Sequence, residues 1–394
     1  MVFRLPAPCW SDRMAPPSRT RAKDGPPRVL HVCDSIIGGT GSFLAELLTP
    51  QAERYGPDVL TLLMPEQHRD HIEPRLADSG IRFEYFDRPN RLLGMAKLFF
   101  TYHRVRRQIR PEIVHAHSFG AGVITRLGRF GRWPRLIFCP HGWAFSMQVS
   151  PRAKRFIVAV ERYLARKADR IILISPHECE VARNVGLPDD KLVVINNAIS
   201  KAPPPVAPAR WDDDRIKLLF VGRFDRQKGL DLLLEAIAEL GDRYALRVVG
   251  QPVVAPQIGR ITPDFVEYVG WRDRNGVVSE MMAADAVIVP SRWEGFGLVA
   301  IEAMRVRRAV IASDAGGLND TLDRGRFGLA FSANDVNALR QVLETLDPAE
   351  LPGWGARGHA RFIDKYTSET MVDAVDATYR DLLGADARRA GVAG

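Results

Sequence analysis

Two glutamates stand in the segment PSRWEGFGLVAIEAM (290–304) as E-x(7)-E, at Glu294 and Glu302. The apolar run AVIVPS ends just before Glu294, and GFGL is suited to opening a helix. That order puts Glu294 in a loop over strand ends. Glu302 then lies about 7–8 Å along the helix axis from Gly297, at roughly 1.5 Å per residue. The first amides of such a helix, those of Phe296, Gly297 and Leu298, lack intrahelical acceptors. They make a prepared anion site, which glycine lets a phosphate approach closely. A carboxylate deeper in the helix is placed to accept hydrogen bonds from sugar hydroxyls.

A second segment, LLFVGRFDRQKGLDLLLEAI (218–237), ends a strand at Gly222, continues with Arg223 and begins a helix at Lys228. Fixed cations at the carboxyl edge of a sheet can neutralise a departing diphosphate without a metal. Arg supplies a planar fork and Lys a point charge. In the first half, DSIIGGTGSFLAEL (34–47) is a glycine-rich strand-to-helix loop of neither the G-x-G-x-x-G nor the P-loop form. Its expected use is close backbone approach to a ligand from the opposite side of a cleft.

The histidines form a third group. VHAHS carries His115 and His117, and CPHGWAFS carries His141. One member of a strand-borne H-x-H pair points into the core, and His115 is expected there. His117, nearer the strand end, is open between core and site. His141, in a turn before Gly142 at the sheet edge, is expected in the site. With no helical H-x(3)-H and no Cys partner at hand, no metal is expected at any of the three. WDDDR (211–215) reads as a solvated acidic turn.

The elements that must hold these residues repeat in one rhythm. Short apolar runs at 28–35, 58–65, 81–87, 112–118, 135–140, 170–175 and 192–196 alternate with helical patterns, as in a parallel sheet covered on both faces. The proline-rich, then acidic stretch NNAISKAPPPVAPARWDDD (196–214) interrupts them as an interdomain linker. The rhythm restarts with strands at 216–223, 244–250, 265–270, 286–291 and 309–313 and helices at 228–239 and 297–305, and a helical tail covers about 335–390. The fold class is therefore α/β: two doubly wound Rossmann-like domains facing a central cleft, with ligands at the carboxyl ends of the strands. The expected division is a disordered leader at 1–27, a first domain at 28–197, a linker at 198–215 and a second domain at 216–370. A helix at 371–394 is expected to return to the first domain.

Length and composition agree with this. The chain has 394 residues, 46% hydrophobic and 26% charged, as in two ordinary globular domains. Cysteines at 9, 33, 139 and 179 share no short spacing, which argues against a disulfide scaffold and a zinc knuckle and fits a reducing cytosol. The leader lacks the apolar core of a secretory signal, and no window offers the roughly 18 apolar residues of a membrane span. A cytoplasmic protein is expected. Charge is uneven: between Thr101 and Arg170 stand 15 Lys or Arg and three acids, against a net +8 for the whole chain. In PRAKRFIVAVERYLARK, Phe156, Ile157, Val160, Tyr163 and Leu164 fall near one helical face, flanked by Arg152, Arg155, Arg162 and Arg166. This is either a core-packed helix with a solvated basic face or a surface for anionic lipid. The stretch lacks both a nucleic-acid motif and an aromatic stacking pattern, so no nucleic-acid partner is expected.

Taken in order, VGRFDRQKG, VIVPSRWEGFGLVAIEAM and VIASDAGGLNDTL, with GGTG, EIVHAHS, PHGWAFS, VERYL and IILIS followed by PHE in the first half, resemble a GT-B glycosyltransferase of family 4 over about 28–385. The resemblance implies retaining transfer from a nucleotide-sugar donor, UDP- or GDP-linked, held by the second domain. The acceptor would be a sugar, polysaccharide or lipid-linked sugar, and no divalent metal or other cofactor is needed. It matches Glu302 to the acid on the ribose, Glu294 to the acid on the donor sugar, and Arg223 and Lys228 to the diphosphate cations. Phe296, Gly297 and Leu298 match the backbone donors, His141 the first-domain histidine near the reacting sugar, and Gly39 the loop glycine facing donor and acceptor. Thr40 and His117 are expected toward the acceptor. The family's small turn after EAM is replaced by RVRRAV, so Arg305, Arg307 and Arg308 are expected toward solvent, and Asp320 stands where GG-x-x-Glu is common. The base-contact loop GQPVVAPQIG (250–259) is short. A sugar-nucleotide 2-epimerase and a non-catalytic sugar-nucleotide sensor are the alternatives to a surface-polysaccharide or glycolipid transferase.

Overall fold

The computed structural model describes residues 25–129, 131, 133–147, 149–251 and 263–390. Residues 1–24 of the expected leader and the 250–259 loop from residue 252 onward lie outside the described residues. The first sheet holds β1 (Val29–Cys33), β2 (Leu60–Pro65), β3 (Arg82–Phe86), β4 (Ile113–His117), β5 (Arg135–Cys139), β6 (Arg170–Leu173) and β7 (Leu192–Val194). The second holds β8 (Ile216–Val221), β9 (Tyr244–Val249), β10 (Val266–Gly270), β11 (Ala286–Val289), β12 (Ala309–Ser313) and β13 (Leu329–Phe331). Strand orders are β3-β2-β1-β4-β5-β6-β7 and β10-β9-β8-β11-β12-β13, all parallel. Each order reverses once, between β1 and β4 and between β8 and β11. The glycine-rich, HAHS, VGR and PSRWEG segments all follow those four strands.

The first sheet is crossed by α1 (Gly39–Tyr55), α2 (Arg69–Leu76), α3 (Arg91–Ile109), α4 (Phe119–Leu127), α5 (Pro151–Ala165) and α6 (Pro176–Asn184). The second carries α7 (Leu230–Ile237), α8 (Arg274–Ala283), α9 (Leu298–Arg305), α10 (Gly317–Leu322), α11 (Val336–Thr345) and α12 (Leu351–Lys365), and α13 (Ser368–Ala390) follows. Alternate residues of each strand point to opposite faces. Leu30, Val32, Val114, Ala116, Leu136 and Phe138 pack with α3–α6 in one core. Val29, Cys33, Ile113, Ile137 and Cys139 pack on the other face in a core that continues through Phe296, Ile301 and Met304 of the second domain. The α13 helix lies along α1: the Tyr55 hydroxyl donates to Asp376 (2.6 Å) and Arg54 pairs with Asp373 (2.6 Å).

Several expectations are corrected. Gly39–Gly41 form the first turn of α1 rather than a free loop, entered through Gly38 at φ 80°. Helices α7 and α9 start at Leu230 and Leu298, because Gly229 and Gly297 sit in the left-handed region ahead of them. The packed face of α5 is Ile157, Glu161, Leu164 and Ala165, whereas Phe156 is 71% and Tyr163 53% exposed. Glu161 is buried because it receives a two-pronged ion pair from the equally buried Arg126 (2.7 and 3.1 Å), whose guanidinium also stacks on Phe138. Removing either partner would leave an uncompensated buried charge. In WDDDR, Asp213 pairs with Arg215 (2.8 Å), and Trp211 lies under the Arg247 guanidinium.

Candidate active site

The crossing point of the second sheet brings the expected cations and carboxylate together. Lys228 Nζ donates to Glu294 Oε2 at 2.5 Å, and Ser291 Oγ donates to the same oxygen (3.3 Å). Gly229 makes this approach feasible: its φ is 68°, and a Cβ there would sit 2.1 Å from the Pro290 carbonyl oxygen. Arg223 is more exposed. It reaches Asp225 (3.0 Å) and Gln227 (3.2 Å), and Gln227 in turn donates to the Trp293 carbonyl (3.1 Å). Phe296 buries its ring against Tyr366, so only its main chain is left for a ligand. Gly297 and Leu298 follow at the amino end of α9.

Glu302, one turn into α9, is partly buried, and its carboxyl is pushed up by burial while Arg305, Arg274 and Arg75 pull it down. Arg75 comes from the first domain and Arg274 from the second; both also reach Glu46 of α1, at 3.5 and 2.9 Å. Arg305 is therefore not in solvent. It is 2% exposed and donates to the Ser200 carbonyl (3.3 Å). Arg307 is exposed and makes the turn with φ 60°, in the left-handed region that glycine adopts most easily. Arg308 is partly buried.

The two halves meet directly at this point. A Cβ built on Gly39 would lie 4.0 Å from Leu298 Cδ1, so the first turns of α1 and α9 face each other. Ser175 Oγ donates to the Gly295 carbonyl (3.0 Å), and the His177 amide at the start of α6 donates to Asp320 (2.6 Å). Gly316 lies at the seam: a Cβ there would strike the Glu294 carbonyl oxygen at 2.2 Å and come to 3.1 Å from the His177 ring of the first domain. Asp320 thus caps a helix of the other domain, and its burial raises its carboxyl pKa.

On the first-domain side His141 has φ 53° and bonds through Nε2 to His117 Nδ1 (3.0 Å). Phe43 meets its ring edge-on, at 4.7 Å between centroids. Burial pulls the His141 imidazole down to about 3, so the ring is neutral. His117 does not reach the cleft: it is fully buried between His141 and His31. Thr40 is also buried. His115 is buried, as expected, and bonds to Tyr379 (2.8 Å). The expectation that no cysteine stands near these histidines fails: Cys139, two residues before His141 at the end of β5, brings its Sγ to 3.7 Å from His141 Nδ1, and strand pairing sets it beside His117.

Sequence reasoning missed Glu178. Ser175 Oγ accepts from the Glu178 amide (3.2 Å), so S-P-H-E reads as a local capping box. Instead of turning back to cap, the carboxylate is buried: Oε2 accepts from the Ile174 amide (3.3 Å), and Oε1 has no partner among the described residues. A Cβ on Gly295 would lie 3.6 Å from that Oε1. His31 was missed because an isolated polar residue in an apolar strand carries no spacing signal.

Two parallel sheets of these orders, meeting at their carboxyl edges, define the GT-B class of transferase folds. Residues 38–198 match the model of a glycosyl transferase 4-like domain, and residues 215–346 that of glycosyl transferases group 1. An uncharacterized 41.2 kDa protein in cps region of Klebsiella pneumoniae is 29% identical over 370 residues, covering 89% of this chain and 99% of its own. Alpha-maltose-1-phosphate synthase of Mycolicibacterium smegmatis is 30% identical over 388 residues, covering 88% of this chain and 96% of its own. The solved structure of Anabaena HepE in complex with UDP-glucose aligns with TM-score 0.73 at 19% identity, covering 90% of this chain and 99% of that one. The chain belongs to the GT-B glycosyltransferases of family 4.

Burial pushes the Glu178 carboxyl from 4.5 up to about 7. Between those values the folded state keeps a proton that the unfolded chain has lost. Stability therefore falls as pH rises from about 4.5 to about 7 and levels off above. In urea unfolding, Glu178→Gln should remove that slope and be more stable than the native chain at pH 8, by up to roughly 3 kcal/mol. An unchanged slope would show that the carboxyl is not held protonated.

Proposed function

We propose that this glycosyltransferase moves a sugar, with retention of anomeric configuration, from a nucleoside-diphosphate sugar to an acceptor hydroxyl. The observation that carries the reading is the Lys228–Glu294 contact at the start of α9, with Arg223 beside it at the same sheet edge. Arg223 and Lys228 bind the two phosphates, and the amides of Phe296, Gly297 and Leu298 add donors at the amino end of α9. No magnesium is required, because the cations and amides meet the charge that develops on the leaving oxygen. Donor binding frees Glu294 from Lys228 to accept from a sugar hydroxyl, and Glu302 accepts from the ribose. Gly39 lets the first domain close over the donor, and the neutral His141 borders the reacting sugar.

In the step itself the bond from the anomeric carbon to the phosphate oxygen breaks. The acceptor oxygen bonds to that carbon on the same face, and its proton passes to the departing phosphate. Glu294 serves in binding and not as a nucleophile. The relative in a cps region and the UDP-glucose held by HepE support a donor of this class and a role in surface polysaccharide or glycolipid synthesis. Arg223→Ala and Lys228→Ala should each lower kcat by about 10²-fold or more, and Glu302→Ala should mainly weaken donor affinity. Near-native turnover in the first two removes the assignment. Conversion of the nucleotide sugar to its 2-epimer without any acceptor points to the epimerase; donor binding without turnover points to the sensor.

The reading extends to an anionic membrane surface on the inner face. No helix among the described residues is long and apolar enough to cross a membrane. However, α3 exposes Leu92 (83%) and Phe100 (72%) and α5 exposes Phe156, both flanked by Arg and Lys on the helix layer α3–α6 that covers one face of the first sheet. A groove of about 720 Å³ on α5 is lined by Lys154, Arg155 and Arg162. Aromatic side chains beside cations suit the interface of an anionic bilayer. Liposome flotation should show binding that requires anionic lipid, weakens with salt and drops in Phe100→Ser/Phe156→Ser. Indifference to lipid charge and salt would reject it.

A further inference from the structure

The face of the first sheet under α1 and α13 is apolar except at its centre. β1, β4 and β5 pair so that His31 lies beside His115, and Cys33, His117 and Cys139 form the next row. Strand alternation sends these side chains to one side. His31, His115 and His117 are each 0% exposed, and one ring nitrogen of each lies within 4.8 Å of the others. His31 Nδ1 and His117 Nε2 are 3.1 Å apart, and His115 Nε2 is buried with no hydrogen-bond partner among the described residues. Leucine or valine would fill this volume without leaving a ring nitrogen unsatisfied. The three imidazoles make no contact with the cleft that sugar transfer would use.

We propose that His31 Nδ1, His115 Nε2 and His117 Nε2 form a site for a divalent cation of the zinc class. Nitrogen ligands of a four-coordinate zinc, at about 2.0–2.1 Å from the metal, stand about 3.3 Å apart, and the His31–His117 separation is 3.1 Å. Two of the three outward nitrogens are already supported, and His31 Nε2 has no hydrogen-bond partner among the described residues. His115 Nδ1 faces the Tyr379 hydroxyl (2.8 Å) and His117 Nδ1 faces His141 Nε2 (3.0 Å). His31 has Gln51 beside it, whose amide oxygen is buried without a donor. Such outer partners fix the ring orientation of a ligating histidine. Gln51 also donates to Asp376 (3.3 Å), which puts a carboxylate just beyond the ligands. All three rings bind as neutral imidazoles, so binding needs one tautomer and releases no proton. A second arrangement, His117 with Cys139 and His141, also brings its ligand atoms within 4.8 Å. Either arrangement replaces a histidine–histidine hydrogen bond, His31–His117 in the first and His117–His141 in the second, but the first also uses His115 Nε2, which has no partner among the described residues. With the cation in place His117 keeps Nδ1–H as the donor to His141, so the site braces the histidine at the cleft from behind.

The test uses the full chain, first assayed for zinc as purified without chelator, then stripped and titrated with Zn²⁺ or Co²⁺ alone. One equivalent should bind and raise the Tm. The Co²⁺ form should show the ligand-field bands of a nitrogen-ligated four-coordinate ion and no thiolate charge-transfer band. His115→Gln and His31→Gln should each weaken binding by about tenfold or more, and Cys139→Ser should leave the spectrum as in the native chain. Failure to bind one equivalent of either ion overturns the proposal. So does a thiolate band that Cys139→Ser abolishes, which assigns the ion to the other triad. Both readouts on the native chain stand even if a histidine variant does not fold.

Discussion

Every strand in both sheets runs parallel, so each crossover returns the chain to the same edge, and every loop that leaves a carboxyl end gathers there. Where the strand order reverses, two neighbouring loops part and leave a crevice. The molecule has two such crevices, and they meet. Ser175 against Gly295, His177 against Asp320 and the first turn of α1 against that of α9 are the contacts that join them. The core under β1 and β4 runs on without a break into the core under α9, so the juncture rests on packed side chains as well as polar contacts.

The juncture is also where charge is taken out of water. Glu178, Asp320 and Glu302 all have carboxyls raised by burial, and His141 and His31 are held neutral by it. Against them stand Lys228, Arg75, Arg274 and Arg305, drawn from both domains. Opposite charges at these distances in a poorly solvated site interact strongly: Arg274 reaches Glu46 of the other domain, while Lys228 is held by Glu294 of its own. A diphosphate entering between them would replace Glu294 on Lys228 without either charge becoming bare.

Much of this was legible in the sequence for physical reasons. Buried parallel strands write continuous apolar runs, so every described strand but the three-residue β13 (Leu329–Phe331) could be read directly. The E-x(7)-E and VGR…K segments sit next to strand ends, so their clustering followed from the alternation of strands and helices. What failed had no local signature. Arg305 looks like a surface residue until Ser200 of the linker and Glu302 are seen around it. Phe156 and Tyr163 share a helical face with apolar neighbours, but Glu161, drawn inward by Arg126, rotates the packed stripe away from them. Strand register sets His31 beside His115 and His117 beside Cys139, pairs 84 and 22 positions apart in sequence, which spacing rules cannot see.

The central claim is that side-chain cations and the start of α9 hold a diphosphate without help from a metal. Calorimetric titration of the chain in excess EDTA with UDP, GDP and the corresponding monophosphates tests it most directly. One diphosphate should bind, its monophosphate should bind far more weakly, and adding Mg²⁺ should not change the affinity. Binding that appears only with Mg²⁺, or no discrimination between diphosphate and monophosphate, would contradict it.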